Sequence, residues 1–232
     1  MILCCLDTSG PVAGVALMED GAVRYEAMAV NAMTHSQSIL PMTEEAYRRA
    51  GLVLEQTDFF AVTVGPGSFT GVRIGVSTVN GLAHALNRPC IAVDALEAMA
   101  AGVQTFPGVI CPIQDARAGQ VYGAAFQGGS LQRLLPDAPI RLEDFLCQAA
   151  AFEQPLLFLG DGMPVHRDEI RRILDQRAQF APAHLAFLRP AAAAFLAWQK
   201  RDQAVEYRDL SPLYLRPPQA ERQKNLRELG HE

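Results

Sequence analysis

Apolar and polar positions alternate with a period of two through the first thirty residues. The pattern predicts three short strands, Ile2 to Asp7, Val12 to Met18 and Ala22 to Ala29. Ser9-Gly10-Pro11 and Glu19-Asp20-Gly21 separate them with turn chemistry, and Asp20-Gly21 is a two-residue hairpin signal. Three sequential strands on tight turns predict an antiparallel meander. The period then changes. Ile39, Leu40, Thr43, Ala46, Tyr47 and Ala50 recur at spacings of three and four, which predicts a helix over Ser36 to Ala50 closed by Gly51. Pro41 must then sit in the first turn or kink the helix. Phe59 to Val64 reads as a fourth strand, a helix follows from about Val72 to Leu86, and Ile91 to Val93 is a fifth strand. Asp94 is placed to cap a helix that reaches about Gly102.

The second half begins in the same way. Val109 to Gln114, Gln120 to Gln127 and Gln132 to Leu135 read as strands, Arg141 to Ala150 as a helix and Leu156 to Leu159 as a strand. Gly160-Asp161-Gly162 is a turn, and helices are predicted over Pro164 to Gln176 and Pro190 to Lys200. The pattern predicts an α/β protein of two βββαβα-type subdomains, residues 1–104 and a smaller 105–216, with a polar tail over 217–232. This order suggests a duplication, although no repeat is visible in the residues themselves.

Composition narrows the function classes. Of 232 residues, 50% are apolar and 19% charged, enough to build a packed core. Twenty basic against 25 acidic residues give a net charge of -5, which argues against a stand-alone nucleic-acid binder. No apolar run approaches the ~20 residues that a bilayer requires, and the start lacks the basic region of a signal peptide. The five cysteines, Cys4, Cys5, Cys90, Cys111 and Cys147, are scattered without a C-x-x-C. They read as reduced thiols and point to the cytoplasm.

Gly65-Pro66-Gly67-Ser68-Phe69-Thr70-Gly71 joins a predicted strand to a predicted helix. Glycines let a bound group approach the backbone, and helix N-termini favour anions, so Gly65, Gly67, Ser68 and Thr70 are candidates for a phosphate-like cradle. The spacing fits neither a P-loop nor a dinucleotide fingerprint. The alternative is a tight turn capped by Ser68 or Thr70. Asp7-Thr8-Ser9 could likewise hold a metal-bound phosphate, or form an Asx turn that closes the hairpin. The histidines are not spaced as zinc ligands, since Ile39 stands one turn after His35. No nucleophile elbow is present. No catalytic or metal-ligating residue is therefore assigned. Gly71 and Gly75 lie on one helical face at a cost of about 1 kcal/mol each relative to alanine. They serve either the packing of the helix on its own sheet or the approach of a helix from another chain. The arginines at 167, 171 and 172 alternate with acids and read as a solvated face.

Several of these segments together resemble one family. They are Ile2 to Ser9, His35-Ser36 with Leu40-Pro41, Val64 to Gly75, Asp115 to Tyr122, Gly160-Asp161-Gly162 and Pro212 to Arg216. The chain resembles the TsaB (YeaZ) family, which takes part in the synthesis of threonylcarbamoyladenosine in tRNA. The resemblance implies the actin-like ATPase (ASKHA) fold. It also implies a non-catalytic partner of the transferase TsaD, which pairs with it through the first two helices and works with the ATPase TsaE. On this chain the implied interface comprises His35, Ser36, Ile39, Met42 and Ala46, then Gly71, Arg73, Gly75, Thr78, Val79 and Leu82. The chain alone is expected to pair with a second copy through the same helices. It is expected to meet tRNA only through the complex and to carry no cofactor, with ATP and Mg used by the assembled complex. Two other readings are an actin-like kinase or ATPase acting on a small molecule, and a zinc protease, which lacks its ligands here.

Overall fold

A computed structural model describes residues 1–30 and 34–216; the tail expected over 217–232 lies outside them. The first half forms β1 (Ile2–Asp7), β2 (Ala13–Glu19), β3 (Ala22–Ala29), α1 (His35–Ala50), β4 (Phe59–Gly65), α2 (Phe69–Leu86), β5 (Cys90–Asp94) and α3 (Ala95–Ala101). The second forms β6 (Val109–Asp115), β7 (Gln120–Gln127), β8 (Arg133–Arg141), α4 (Leu142–Ala150), β9 (Leu156–Leu159), α5 (Gly162–Leu174), β10 (Ala178–Phe180) and α6 (Pro190–Gln199).

The strands make two five-stranded sheets, ordered β3-β2-β1-β4-β5 and β10-β9-β6-β7-β8. Read from the other edge, the second sheet repeats the first strand for strand. In each, a meander is followed by crossovers to two parallel strands. The duplication is thus present in the topology.

Three apolar clusters stack the elements in five layers. α1 and α2 cover the outer face of the first sheet through Ile39, Ala46, Val72, Val76 and Val79 against Cys4, Leu6, Phe60 and Val62. α4 and α5 cover the outer face of the second through Phe145, Leu146 and Ile170 against Cys111, Ile113 and Phe158. α3 and α6 fill the space between the sheets, where Leu96, Met99, Ala193 and Leu196 meet Leu3, Ala16, Ile110 and Phe126. The small side chains of α6 let it lie close on the first sheet.

The expected second subdomain of 105–216 is corrected by this packing. α6 rests on the first sheet, and the chain beyond it stays there. Val205 bridges Cys90, Leu210 joins the α1–α2 core, and the Leu213 amide donates to the Val64 carbonyl at 2.7 Å. The lobes are also tied by charge. Arg133 of β8 lies 3.7 Å from both Asp94 and Glu97 of the first lobe, and it pairs with Asp137 on its own strand.

Four local expectations shift. α2 starts at Phe69, three residues early, because the Ser68 side chain accepts from the Gly71 amide and caps it. α1 runs through Pro41, which lies beyond the first turn, on the exposed side. β8 extends to Arg141 despite Pro136 and Pro139, because it is an edge strand that pairs with β7 alone. β10 is three residues long and escapes a periodicity argument.

Candidate functional site

The C-terminal ends of β1 and β4 face those of β6 and β9 across the gap between the lobes. Ligands of open α/β sheets bind at such ends. A cleft of about 490 Å³ opens there. Its first wall is Ser9-Gly10-Pro11 with Pro66 to Thr70, its second is Gln114 to Arg117 with Tyr122 and Asp161, and residues 213–216 pass across it.

Asp7 ends β1 and is 1% exposed. One of its carboxylate oxygens, Oδ1, accepts from the Ser9 amide at 2.9 Å, from Ser9 Oγ at 2.7 Å and from Thr63 Oγ1. Burial pushes its pKa up, and the bonds from Thr63 and Ser9 hold it down. Thr8 Oγ1 donates to the Gly71 carbonyl at 2.7 Å. The Asx-turn alternative is therefore the one realised. Asp7 and Thr8, named as phosphate-holding candidates, turn inward, and Ser9 is buried with its hydroxyl spent on Asp7.

The glycine-rich segment is a tight strand-to-helix turn packed on this Asx turn. The Ser68 amide donates to the Ser9 carbonyl at 2.7 Å. Gly65 has φ +119 and leaves no room for a side chain beside the Leu213 carbonyl. Gly67, Ser68 and Thr70 line the cleft, with Ser68 and Thr70 exposed at the start of α2.

Gly71 and Gly75 answer the question that their spacing raised. A Cβ on Gly71 would lie 2.1 Å from the Thr8 carbonyl oxygen, and one on Gly75 would lie 2.5 Å from Thr8 Oγ1 and 3.1 Å from Val62 Cγ2. Both glycines let α2 lie on the end of β1 within the same chain. As contact residues for another chain they are corrected, and so are Ile39, Ala46 and Val79, which are sealed in the α1–α2 core. The helical stripe that sequence reasoning followed is the inward one. His35 is half-buried, and its Nε2 donates to the Gly10 carbonyl at 2.8 Å. Ser36 and Arg73 are exposed, and Met42, Thr78 and Leu82 are half-buried at the rim. Beside them Leu40, 49% exposed, lines a second cavity of about 530 Å³ with Pro41, Tyr47, Val53, Leu54 and Leu82. Glu44 and Glu55 border it.

Sequence reasoning had not assigned a role to the second wall of the cleft or to the strap across it. Gln114 is 5% exposed, and its Oε1 has no hydrogen-bond partner among the described residues. The Asp115 amide donates to Asp161 Oδ1 at 3.2 Å, and burial raises the Asp161 pKa. Tyr214 lies 4.8 Å from the Phe69 ring, and its hydroxyl accepts from Arg73 Nε at 2.6 Å. Arg216 donates to the Ala116 carbonyl at 3.4 Å. The signal for these residues was the match at Asp115 to Tyr122 and Pro212 to Arg216. Among the described residues no group of three His, Cys, Asp or Glu side chains is placed to hold a metal ion, and no helix is long and apolar enough to cross a membrane.

Two duplicated lobes around a central cleft define an actin-like ATPase fold. The ethanolamine utilization protein EutJ from Carboxydothermus hydrogenoformans shares this fold, with a TM-score of 0.50 at 13% identity over 84% of this chain and 90% of its own. Residues 29–224 match the family model "TsaD: tRNA N6-adenosine threonylcarbamoyltransferase". The tRNA threonylcarbamoyladenosine biosynthesis protein TsaB of Bacillus subtilis is 34% identical over 95% of this chain and 96% of its own. Its Escherichia coli counterpart is 37% identical over 55% of each chain. YeaZ from Pseudomonas aeruginosa superimposes with a TM-score of 0.74 at 28% identity, covering 92% of this chain and 99% of that one. The chain belongs to the TsaB (YeaZ) family.

Proposed function

We propose that this chain is a non-catalytic partner subunit in the synthesis of threonylcarbamoyladenosine in tRNA. It supports a TsaD-type transferase, together with TsaE. ATP and Mg are used by the assembled complex, and the setting is the cytoplasm. Family membership supports the pathway. The observation that carries the non-catalytic role is Asp7. It is the one carboxylate at the end of β1, and it is buried, with the oxygen that its own turn and Thr63 occupy serving to fold that turn. A kinase or ATPase would present the whole carboxylate to a metal-bound phosphate, whereas here Oδ2 alone is left uncommitted.

The docking face in this reading is the outer side of α1 and α2, built on Ser36, Leu40, Thr78 and Leu82, while Arg73 turns its guanidinium to Phe69 and Tyr214 at the cleft. Exposed apolar side chains beside a groove support it, because patches of that kind mark interaction sites. The same face would pair two copies when the transferase is absent. Reconstitution tests the proposal. The chain alone should transfer no threonylcarbamoyl group to tRNA, and transfer should appear with the TsaD-type subunit, TsaE, ATP and the adenylate-forming enzyme. Efficient ATP turnover by the chain alone would favour the kinase reading.

A further inference from the structure

Three arginines stand around the mouth of the cleft: Arg73 on α2, Arg117 on the β6–β7 turn and Arg216 on the strap. None of them forms an ion pair among the described residues. Two are held on aromatic rings instead. The Arg73 guanidinium lies 3.8 Å from the Phe69 ring centre and 5.5 Å from that of Tyr214, and Arg216 lies 5.9 Å from that of Tyr122. Stacking fixes a guanidinium plane while its terminal N–H groups stay free to donate, and such an arrangement suits phosphate. Arg117 is exposed, with φ +63 in the turn above the cleft.

The rest of the mouth is mixed: Asp115 and Asp161 line its second wall, and the first wall has chemistry that suits anions. α2 is 18 residues long and opens on it. The Ser68 and Gly71 amides are spent on Ser9 and on Ser68 Oγ, and no acceptor among the described residues takes those of Phe69 and Thr70. A helix start of this kind attracts phosphate oxygens. Behind it, Gln114 Oε1 is buried and unpartnered, an acceptor that waits for a donor from a ligand. Tyr214, 40% exposed, offers a ring on which a base can stack. Unpaired cations, free amides, an exposed aromatic ring and an orphan acceptor are the parts of a site for a nucleotide within a strand. This local chemistry runs against the acidic balance of the whole chain, -5.

We propose that the cleft mouth formed by Arg73, Arg117, Arg216 and the start of α2 is an RNA contact surface, which grips the phosphodiester backbone of the tRNA handled by the complex. This rests on the function proposed above and departs from the expectation that tRNA is met through the partner alone. Arg117 and Arg216 face phosphates directly. Arg73 contributes its free N–H groups and also holds Tyr214 in place.

The test uses the reconstituted complex. Transfer activity of the wild-type complex is measured first, so that a failure of the proposed function is seen separately. Fluorescence anisotropy then gives tRNA affinity against salt for R73A/R117A/R216A and for the charge-matched control R171A/R172A/R208A. The cleft variant should bind tRNA about tenfold or more weakly than the control, and its salt slope should flatten by about 2, near 0.7–0.9 per lost phosphate contact. Arg117→Ala alone serves as the fold-neutral variant, because its side chain is exposed and makes no hydrogen bond or ion pair among the described residues, and it should lose about one unit of slope. Equal affinity and slope for the cleft and control variants would overturn the proposal. So would unchanged tRNA binding accompanied by lost binding of inorganic pyrophosphate, which would assign the mouth to a free phosphate compound.

Discussion

Two glycines on one helix should respond to the same substitution with opposite signs. Gly71 and Gly81 both lie within α2, and alanine is favoured over glycine in a helix by about 1 kcal/mol. Around Gly81 nothing lies within 4 Å of an added Cβ, so Gly81→Ala should keep most of that gain and stabilise by roughly 0.5–1 kcal/mol. At Gly71 the added Cβ would lie 2.1 Å from the Thr8 carbonyl oxygen, about 0.9 Å inside the closest approach such atoms make. That oxygen belongs to the backbone of the Asx turn and has no rotamer to adopt. To relieve the clash, α2 must move away from β1. The Thr8 to Gly71 hydrogen bond is then lost, typically ~1 kcal/mol, and overpacking costs ~1–3 kcal/mol. After the propensity gain, Gly71→Ala should destabilise by about 1–3 kcal/mol. In a chain of this size each kcal/mol moves Tm by roughly 2–4 °C. Thermal and urea unfolding of the two variants beside wild type measure the difference. If Gly71→Ala stabilises as Gly81→Ala does, the glycine is not there for close packing against β1, and a role at another chain's surface regains its support.

Burial, and after it Asp137, raises the Asp94 pKa from its ordinary 3.8 to about 7. A raised carboxyl stabilises the fold fully below pH ~4, and that contribution is lost as pH rises through 7. Asp94→Asn keeps the cap on α3 and should gain on wild type between those limits, by up to about 1.4 kcal/mol per pH unit. Urea midpoints at pH 5 and pH 8 check this, and a difference that is flat with pH would contradict it. Tyr47→Phe should cost about 1–2 kcal/mol by urea unfolding, because the buried Thr57 hydroxyl loses its partner. Leu40→Asp should leave monomer stability within about 0.5 kcal/mol, given the exposure of that side chain. The same variant should weaken capture by an immobilised TsaD-type subunit at least tenfold; unchanged capture would move the docking face elsewhere.

The helices α1 and α2 were legible because one face of each is buried. Ile39, Ala46 and Val79 sit on the inward stripe of α1 and α2, and the period of 3.6 reveals that stripe directly. What periodicity cannot do is say which apolar residue next to the stripe stays outside. Leu40 follows Ile39 in the chain, and the third dimension alone separates them. Pro136 and Pro139 stopped the expected strand early, since a proline reads as a break unless the strand is known to lie at a sheet edge. The glycines at 71 and 75 showed that something approaches closely but not whether it is the chain's own β1. The strap at 213–216 and Gln114 were invisible as a site because the cleft joins positions about a hundred residues apart, and no local pattern encodes that meeting. The lobe boundary failed for a related reason. α6 follows the second sheet in sequence yet buries its small side chains on the first.

We propose that this family member supports a transferase and performs no transfer itself. Incorporation of labelled threonine into tRNA tests it directly, with the purified chain assayed alone and then with the TsaD-type subunit, TsaE, ATP and the adenylate-forming enzyme. Background counts are expected for the chain by itself and robust incorporation for the full set. Incorporation by the chain without that subunit would contradict it.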